Sequence, residues 1–201
     1  MAKLPVEFYR REDVWLIARE LLGRVLFTSI AGELTAGRIV ETEAYAGPED
    51  RGSHAYNNRR TARNEMMYSE GGVVYMYICY GIHDMLNIVT GAEGFSHAIL
   101  IRATEPVVGI DIMRRRRNLY NADYRLCQGP GALSQAFGLN KTFNGKSLTG
   151  DAIWIKDSGT TFNDDNITSS GRVGMNFDGP YKTIPWRYYV KGNRFVSKPR
   201  S

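Results

Sequence analysis

Cysteine is scarce in this chain: Cys79 and Cys127 are the only two among 201 residues. They lie far apart and form no Cys-x-x-Cys pair, which argues for reduced, buried side chains rather than a disulfide or a zinc site. Histidine is scarce as well, and His54, His83 and His97 show no metal-ligand spacing with the cysteines. No run of 18 apolar residues is present, and the opening Met1-Ala2-Lys3-Leu4-Pro5 carries no signal-peptide pattern. A helical membrane span and an export leader are therefore not expected, and an intracellular protein without a membrane partner is. The chain also lacks internal repeats, low-complexity tracts and a linker long enough to divide it. One domain over residues 1–201 is the expectation.

What is present suits a globular domain. Hydrophobic residues make up 43% of the chain and charged residues 23%, enough to bury a core without covalent staples. The net charge is +5, and it is clustered. Arg59, Arg60 and Arg63 lie together, and Arg114 to Arg117 form an unbroken run. Clustered arginines fit a polyanionic partner.

One stretch breaks a local rule. Ile39-Val40-Glu41-Thr42-Glu43-Ala44-Tyr45 reads as a strand, yet acidic residues are poor strand formers. Alternation puts Glu41, Glu43 and Tyr45 on one side, with the two carboxylates about 7 Å apart along the strand. Such a violation points either to function or to an edge strand with a solvated charged face. From this stretch alone, the two stand level.

The remaining elements follow from periodicity. Residues 12–23 read as a helix with Asp13 as N-cap and Val14, Ile17, Ala18, Leu21 and Leu22 as the apolar stripe. Strands are expected over 24–28 and 35–45, joined at Ala31-Gly32. Residues 46–72 have no periodicity beyond a short helix near 63–68. A loop of that length inside a compact domain points to function. Val73 to Tyr80 is the strongest strand, with Leu86 to Val89 as its partner and Tyr80-Gly81-Ile82-His83 as the hairpin tip. His97 to Ala103 is a further strand. Val107 to Tyr120 is expected to be a helix, and Gly129-Pro130-Gly131 opens a second one ending at Phe137. From residue 151 onward only strand and loop are expected, with strands at 152–155, 172–175 and 186–190 and a return at Phe195-Val196. The sum is a mixed α+β domain with a largely antiparallel sheet.

A chemical constellation stands on these elements. Glu43 and Tyr45 share a strand face, His54 follows in the loop, and Tyr75 and Tyr77 share a face of the strongest strand. Tyr80 sits at a hairpin tip that cannot bury it. Aromatic rings stack on nucleobases, arginines hold phosphates, and a carboxylate can act as general base toward water.

The chain resembles the alkyladenine (3-methyladenine, or methylpurine) DNA glycosylases over most of its length. The resemblance is carried by Gly37-Arg38-Ile39-Val40-Glu41-Thr42-Glu43-Ala44-Tyr45, by Gly47-Pro48-x-Asp50 with His54, and by Thr61-x-Arg63-Asn64. It continues through Val74-Tyr75-Met76-Tyr77-Ile78-Cys79-Tyr80-Gly81-Ile82-His83 with Asn87, then Leu100-Ile101-Arg102-Ala103 with Glu105-Pro106, and Gly129-Pro130-Gly131. Pro185-Trp186-Arg187 and Val190-x-Gly192 complete it.

The resemblance implies a single α+β domain with a curved, largely antiparallel sheet, flanking helices and a protruding hairpin. It implies a monomeric, monofunctional enzyme of base excision repair that acts on damaged purines in double-stranded DNA, with water as nucleophile and no metal or redox cofactor. Glu43 would activate that water, and Arg102 would help position it and the nucleotide's phosphate. Tyr45, His54 and Tyr77 would sandwich the extruded base, and Asn87 would disfavour the exocyclic amine of normal guanine. Tyr80 would enter the duplex, and Arg59, Arg60 and Arg63 would contact DNA. Beside the resemblance, Glu41 reads as a supporting residue, which would hydrogen-bond a neighbour or raise the Glu43 pKa by like charge. Gly71 and Ala132 depart from the proline and lysine common in relatives. The competing classes are a nucleic-acid-binding module without chemistry and a glycosidase of free nucleosides.

Overall fold

The computed structural model describes residues 2–198. Its centre is a sheet of eight strands: β1 (Val25–Ile30), β2 (Glu33–Ala46), β3 (Val74–Cys79), β4 (His83–Thr90), β5 (His97–Val108), β6 (Ile153–Lys156), β7 (Ile167–Ser170) and β8 (Arg187–Val190). The main path runs β3-β4-β5-β2-β1-β6, β8 joins β2 and β7, and every pairing is antiparallel. Among the described residues five α-helices flank it: α1 (Val6–Tyr9), α2 (Val14–Glu20), α3 (Ile110–Arg117), α4 (Pro130–Phe137) and α5 (Pro180–Thr183). None is long and apolar enough to cross a membrane. The α+β class, the hairpin and the antiparallel sheet agree with expectation.

The long strand β2 is the hub. Glu33 to Arg38 pair with β1, Ala36 to Ala46 with β5, and Glu41 to Glu43 are also paired with β8. The acidic stretch is therefore interior to the sheet, and the edge-strand reading is wrong: Glu41 and Glu43 are both fully buried. The opposite face of β2 meets α2, where the Thr42 hydroxyl donates to the Ala18 carbonyl at 2.7 Å. Ile17 and Leu21 of that helical segment pack with Leu26, Ile39, Ile99, Ile101 and Ile155 from the strands. Each such side chain stabilises the fold by roughly 1.5–3 kcal/mol.

Several expectations are corrected. The residue range 107–120 is not one helix. Val107 and Val108 continue β5, and Gly109, at φ 72°, breaks the chain before α3 begins at Ile110. Pro106 survives inside β5 because it faces Gly37 where the β2–β5 register shifts, a position that asks for no regular ladder bond. The segment 172–175 is a turn rather than a strand, and Phe195-Val196 does not pair as one. The end of the polar loop, Ile167 to Ser170, forms β7, and the short helix α5 has no periodic signal. Asp13 stands at the N-cap of α2 without capping it. Its carboxylate pairs with Arg11 at 3.0 Å.

The β3–β4 hairpin leaves the core as it advances. Val74, Tyr75 and Met76 are buried, while Ile78, Tyr80 and Ile82 are exposed. The turn is closed by the Ile82 N–H donating to the Cys79 carbonyl at 3.2 Å, and Tyr80 and Gly81 both have left-handed φ, 51° and 75°. That sign pattern matches the twist of paired strands.

Candidate active site

Glu43 lies between Leu100 of β5 and Arg187 of β8. Its Oε1 accepts the Val173 N–H at 2.7 Å, and its Oε2 accepts the Tyr45 hydroxyl at 2.9 Å and an Arg102 Nη1 hydrogen at 3.3 Å. Glu41 is bound more completely. Its Oε1 accepts from Arg102 Nε, Arg187 Nε and the Ser197 hydroxyl, each at 2.8 Å, and its Oε2 accepts the Ser197 N–H at 2.7 Å. Two buried carboxylates thus meet two buried guanidinium groups. Arg102 touches both acids, so a cation stands between the like charges. Burial works against the Arg102 charge, but Glu43 and Glu41 outweigh it and hold the guanidinium more firmly protonated than a free arginine.

Above this floor opens a cleft of about 1160 Å³, lined by Tyr45, His54, Tyr77, Asn87, Arg102 and Val173 among others. The His54 ring meets Tyr77 edge-on, with centroids 4.6 Å apart, within the range of favourable aromatic pairs. His54 Nδ1 shares a 2.8 Å hydrogen bond with the hydroxyl of Tyr75, which is itself buried. Burial lowers the His54 pKa to about 4, assisted by the nearby Arg63 and Arg59, so the imidazole is neutral at pH 7. Burial raises the phenols of Tyr45 and Tyr77 above their ordinary range, and both keep their protons. Asn87 donates its amide hydrogens to the carbonyls of Tyr75 at 3.3 Å and Met85 at 3.2 Å, which fixes the amide plane. The structure therefore brings Glu43, Arg102, Tyr45, His54, Tyr77 and Asn87 to one place.

The rim carries Tyr80, 88% exposed at the hairpin tip. Arg63 lies over the Tyr77 ring at 5.7 Å and donates to the Ile78 carbonyl at 3.2 Å. Arg59 is exposed, with no acidic partner among the described residues. Arg60 is different: it pairs with Glu65 and stacks on Tyr68 at 4.7 Å. The run in α3 is occupied likewise. Arg114 pairs with Asp111 and Asp123, Arg115 and Arg116 pair with Glu33, and Arg117 donates to Gln135.

Sequence reasoning missed four participants. Arg172 is fully buried at its side chain, bonds Asp50 through both carboxylate oxygens, and lies 4.6 Å behind the Tyr45 ring. Its neighbour Val173 supplies the N–H to Glu43. Arg187 and Ser197 complete the floor. Arg187 lies in a block shared with the glycosylases and alternates as a buried strand residue, which is a usable signal; Ser197 has none. Among the described residues no group of three or more His, Cys, Asp or Glu side chains is placed to hold a metal ion.

A buried, arginine-braced carboxylate beneath an aromatic cleft is an arrangement that can stack a flat ligand and accept a proton. The sequence profile of the methylpurine-DNA glycosylase (MPG) family matches residues 7–194. A Chlamydia felis protein, provisionally named 3-methyladenine DNA glycosylase, is 46% identical over 191 residues, covering 93% of this chain and 95% of that protein. Proteins with the same provisional name from Natranaerobius thermophilus and Bacillus licheniformis are each 40% identical, covering 97% of this chain and 98% and 96% of their own lengths. The chain belongs to the methylpurine-DNA glycosylase family.

Proposed function

We propose that this protein is a monomeric, single-domain, monofunctional DNA glycosylase that extrudes alkylated or deaminated purines from duplex DNA and hydrolyses the bond to deoxyribose. The observation that carries the reading is the buried Glu43 carboxylate, tied to Arg102, Tyr45 and Val173 at the base of the aromatic cleft. A DNA-binding module without chemistry has no use for a general base there.

The steps follow from the residues. The target C1′ is hidden in the duplex, so the nucleotide must leave the stack at a cost of a few kcal/mol. Tyr80 enters the gap and offsets part of it. The base lies between Tyr45 and the His54–Tyr77 pair, and a cationic alkylpurine gains about 0.5–2 kcal/mol from the electron-rich tyrosine faces. Water attacks C1′, its proton passes to Glu43, and the base departs with the electron pair of the N-glycosidic bond. The alkylated cation leaves as a neutral base and needs no acid. His54, with its pKa lowered to about 4, supplies no imidazolium for protonating neutral bases at pH 7.

The test is incubation with methylated duplex DNA and with methylated free nucleosides. Released 3-methyladenine or 7-methylguanine with alkali-labile sites in the duplex is expected. Tight binding without release makes the protein a binding module, and equal action on free nucleosides makes it a small-molecule glycosidase.

A further inference from the structure

Glu41 and Ser197 lie outside the chemistry proposed above, yet they are among the most heavily bonded groups in the protein. Both are buried. Ser197 stands near the chain's C-terminal end, where β8 and the following turn bring it under the cleft. All its polar groups are engaged. Its N–H and hydroxyl donate to Glu41, at 2.7 and 2.8 Å, its hydroxyl oxygen accepts from Arg102 Nη2 at 3.3 Å, and its carbonyl accepts from Arg187 Nη2 at 3.0 Å.

These bonds converge on Arg102. The guanidinium is planar, and its donors point in fixed directions. Glu41 takes Nε at 2.8 Å and Ser197 takes Nη2 at 3.3 Å, which leaves Nη1 for Glu43, also at 3.3 Å. Two of its three nitrogens are held by Glu41 and Ser197, and those bonds determine where the third points. Arg187 pairs with the same Glu41 Oε1 at 2.8 Å, so the single Glu41 charge is shared between two guanidinium groups and Arg102 is not drawn wholly to one acid. A fixed donor beside a developing charge is the arrangement that costs no reorganisation during reaction.

We propose that Glu41 and Ser197 are positioning residues: together they set the plane of Arg102, and the C-terminal segment thereby completes the catalytic site. The inference rests on the glycosylase reading. It also explains why two acids occur in one interior strand, one serving the reaction and the other serving the arginine.

The experiment measures single-turnover excision from methylated duplex, duplex affinity and thermal unfolding for Ser197→Ala and Glu41→Gln, each in the parent and in an Arg102→Gln background. Loss of a bond to a charged group predicts about a tenfold fall in rate for S197A and about a hundredfold fall for E41Q, with duplex affinity changed by less than about twofold. In the R102Q background, S197A is expected to lower the rate by less than about twofold, because its effect passes through the missing guanidinium. S197A, which removes only a hydroxyl, keeps the test decisive if E41Q does not fold. Parent-like excision by S197A overturns the assignment. So does an equal fall in both backgrounds, which marks a purely structural role. No excision by the parent protein overturns the glycosylase reading itself.

Discussion

His54 illustrates how a single residue's environment dictates its chemistry. Its imidazole is half-enclosed by Tyr75 and Tyr77 with two arginines nearby, and its pKa falls to about 4 from an ordinary 6.5. The unfolded chain therefore takes up a proton near pH 6.5 while the folded one does not until about pH 4. Stability contributed by the neutral ring is present above pH 6.5 and lost as pH falls toward 4. A shift of that size carries up to about 3 kcal/mol, and partial solvent access reduces this to on the order of 2 kcal/mol. Urea unfolding at pH 7, 5.5 and 4.5 is expected to show a steeper loss for the parent than for His54→Asn. Parallel pH profiles for the two proteins contradict this placement.

At the scale of elements, the β3–β4 hairpin carries its tip residue in a conformation that ordinary side chains avoid. Tyr80 has φ 51°, a left-handed geometry costing a non-glycine residue roughly 1–2 kcal/mol. Strain of this kind persists where a side chain is needed. Tyr80→Gly and Tyr80→Ala both remove the ring, so their difference isolates the backbone. The glycine variant is expected to be more stable than the alanine variant by about 1 kcal/mol in urea unfolding. Both are expected to show weaker fluorescence changes from a base analogue at the damage site. Equal stability of the two variants removes the strain argument.

The same element shows what the sequence makes legible. Alternation over Val73 to Tyr80, a glycine at the turn and a second apolar run are local signals, and the hairpin follows from them directly. The long strand β2 was likewise readable, but its place in the sheet was not. Whether Glu41 and Glu43 face water or an interior depends on β5 and β8, more than 50 and 140 residues away in the chain by their pairing. Glu43 stands out locally because an acid breaks the strand rule, whereas His54 and Tyr77 stand out only through the resemblance to the glycosylases; the structure gathers them with Tyr45 around one cleft. Arg172 and Ser197 stand out in neither way. Arg172 sits in an apolar-looking run that imitates a strand, and a serine near a chain end carries no signal until Glu41 is seen against it.

For the whole molecule, net charge alone misdirects. The chain carries +5, but the four arginines of α3 are bound to Asp111, Asp123, Glu33 and Gln135. Near the aromatic cleft, Arg59 and Arg63 have no acidic partner among the described residues, and we propose them as phosphate contacts. Each lost phosphate contact flattens the dependence of log affinity on log salt by about 0.9. Replacing Arg59 and Arg63 with alanine is expected to flatten that slope by close to 2 in the same units, and Arg115→Ala to leave it unchanged. A larger effect from Arg115 moves the DNA surface to α3.

We propose above all that Glu43 activates water in a pocket that otherwise only binds. Single-turnover excision by Glu43→Gln on a duplex with one defined damaged purine tests it most directly, measured beside equilibrium binding of the same duplex. Glutamine keeps the shape and the acceptor oxygen but is no base. The excision rate is expected to fall by about 10²–10⁴-fold, with duplex affinity preserved. Excision by the variant at the parent rate contradicts the claim.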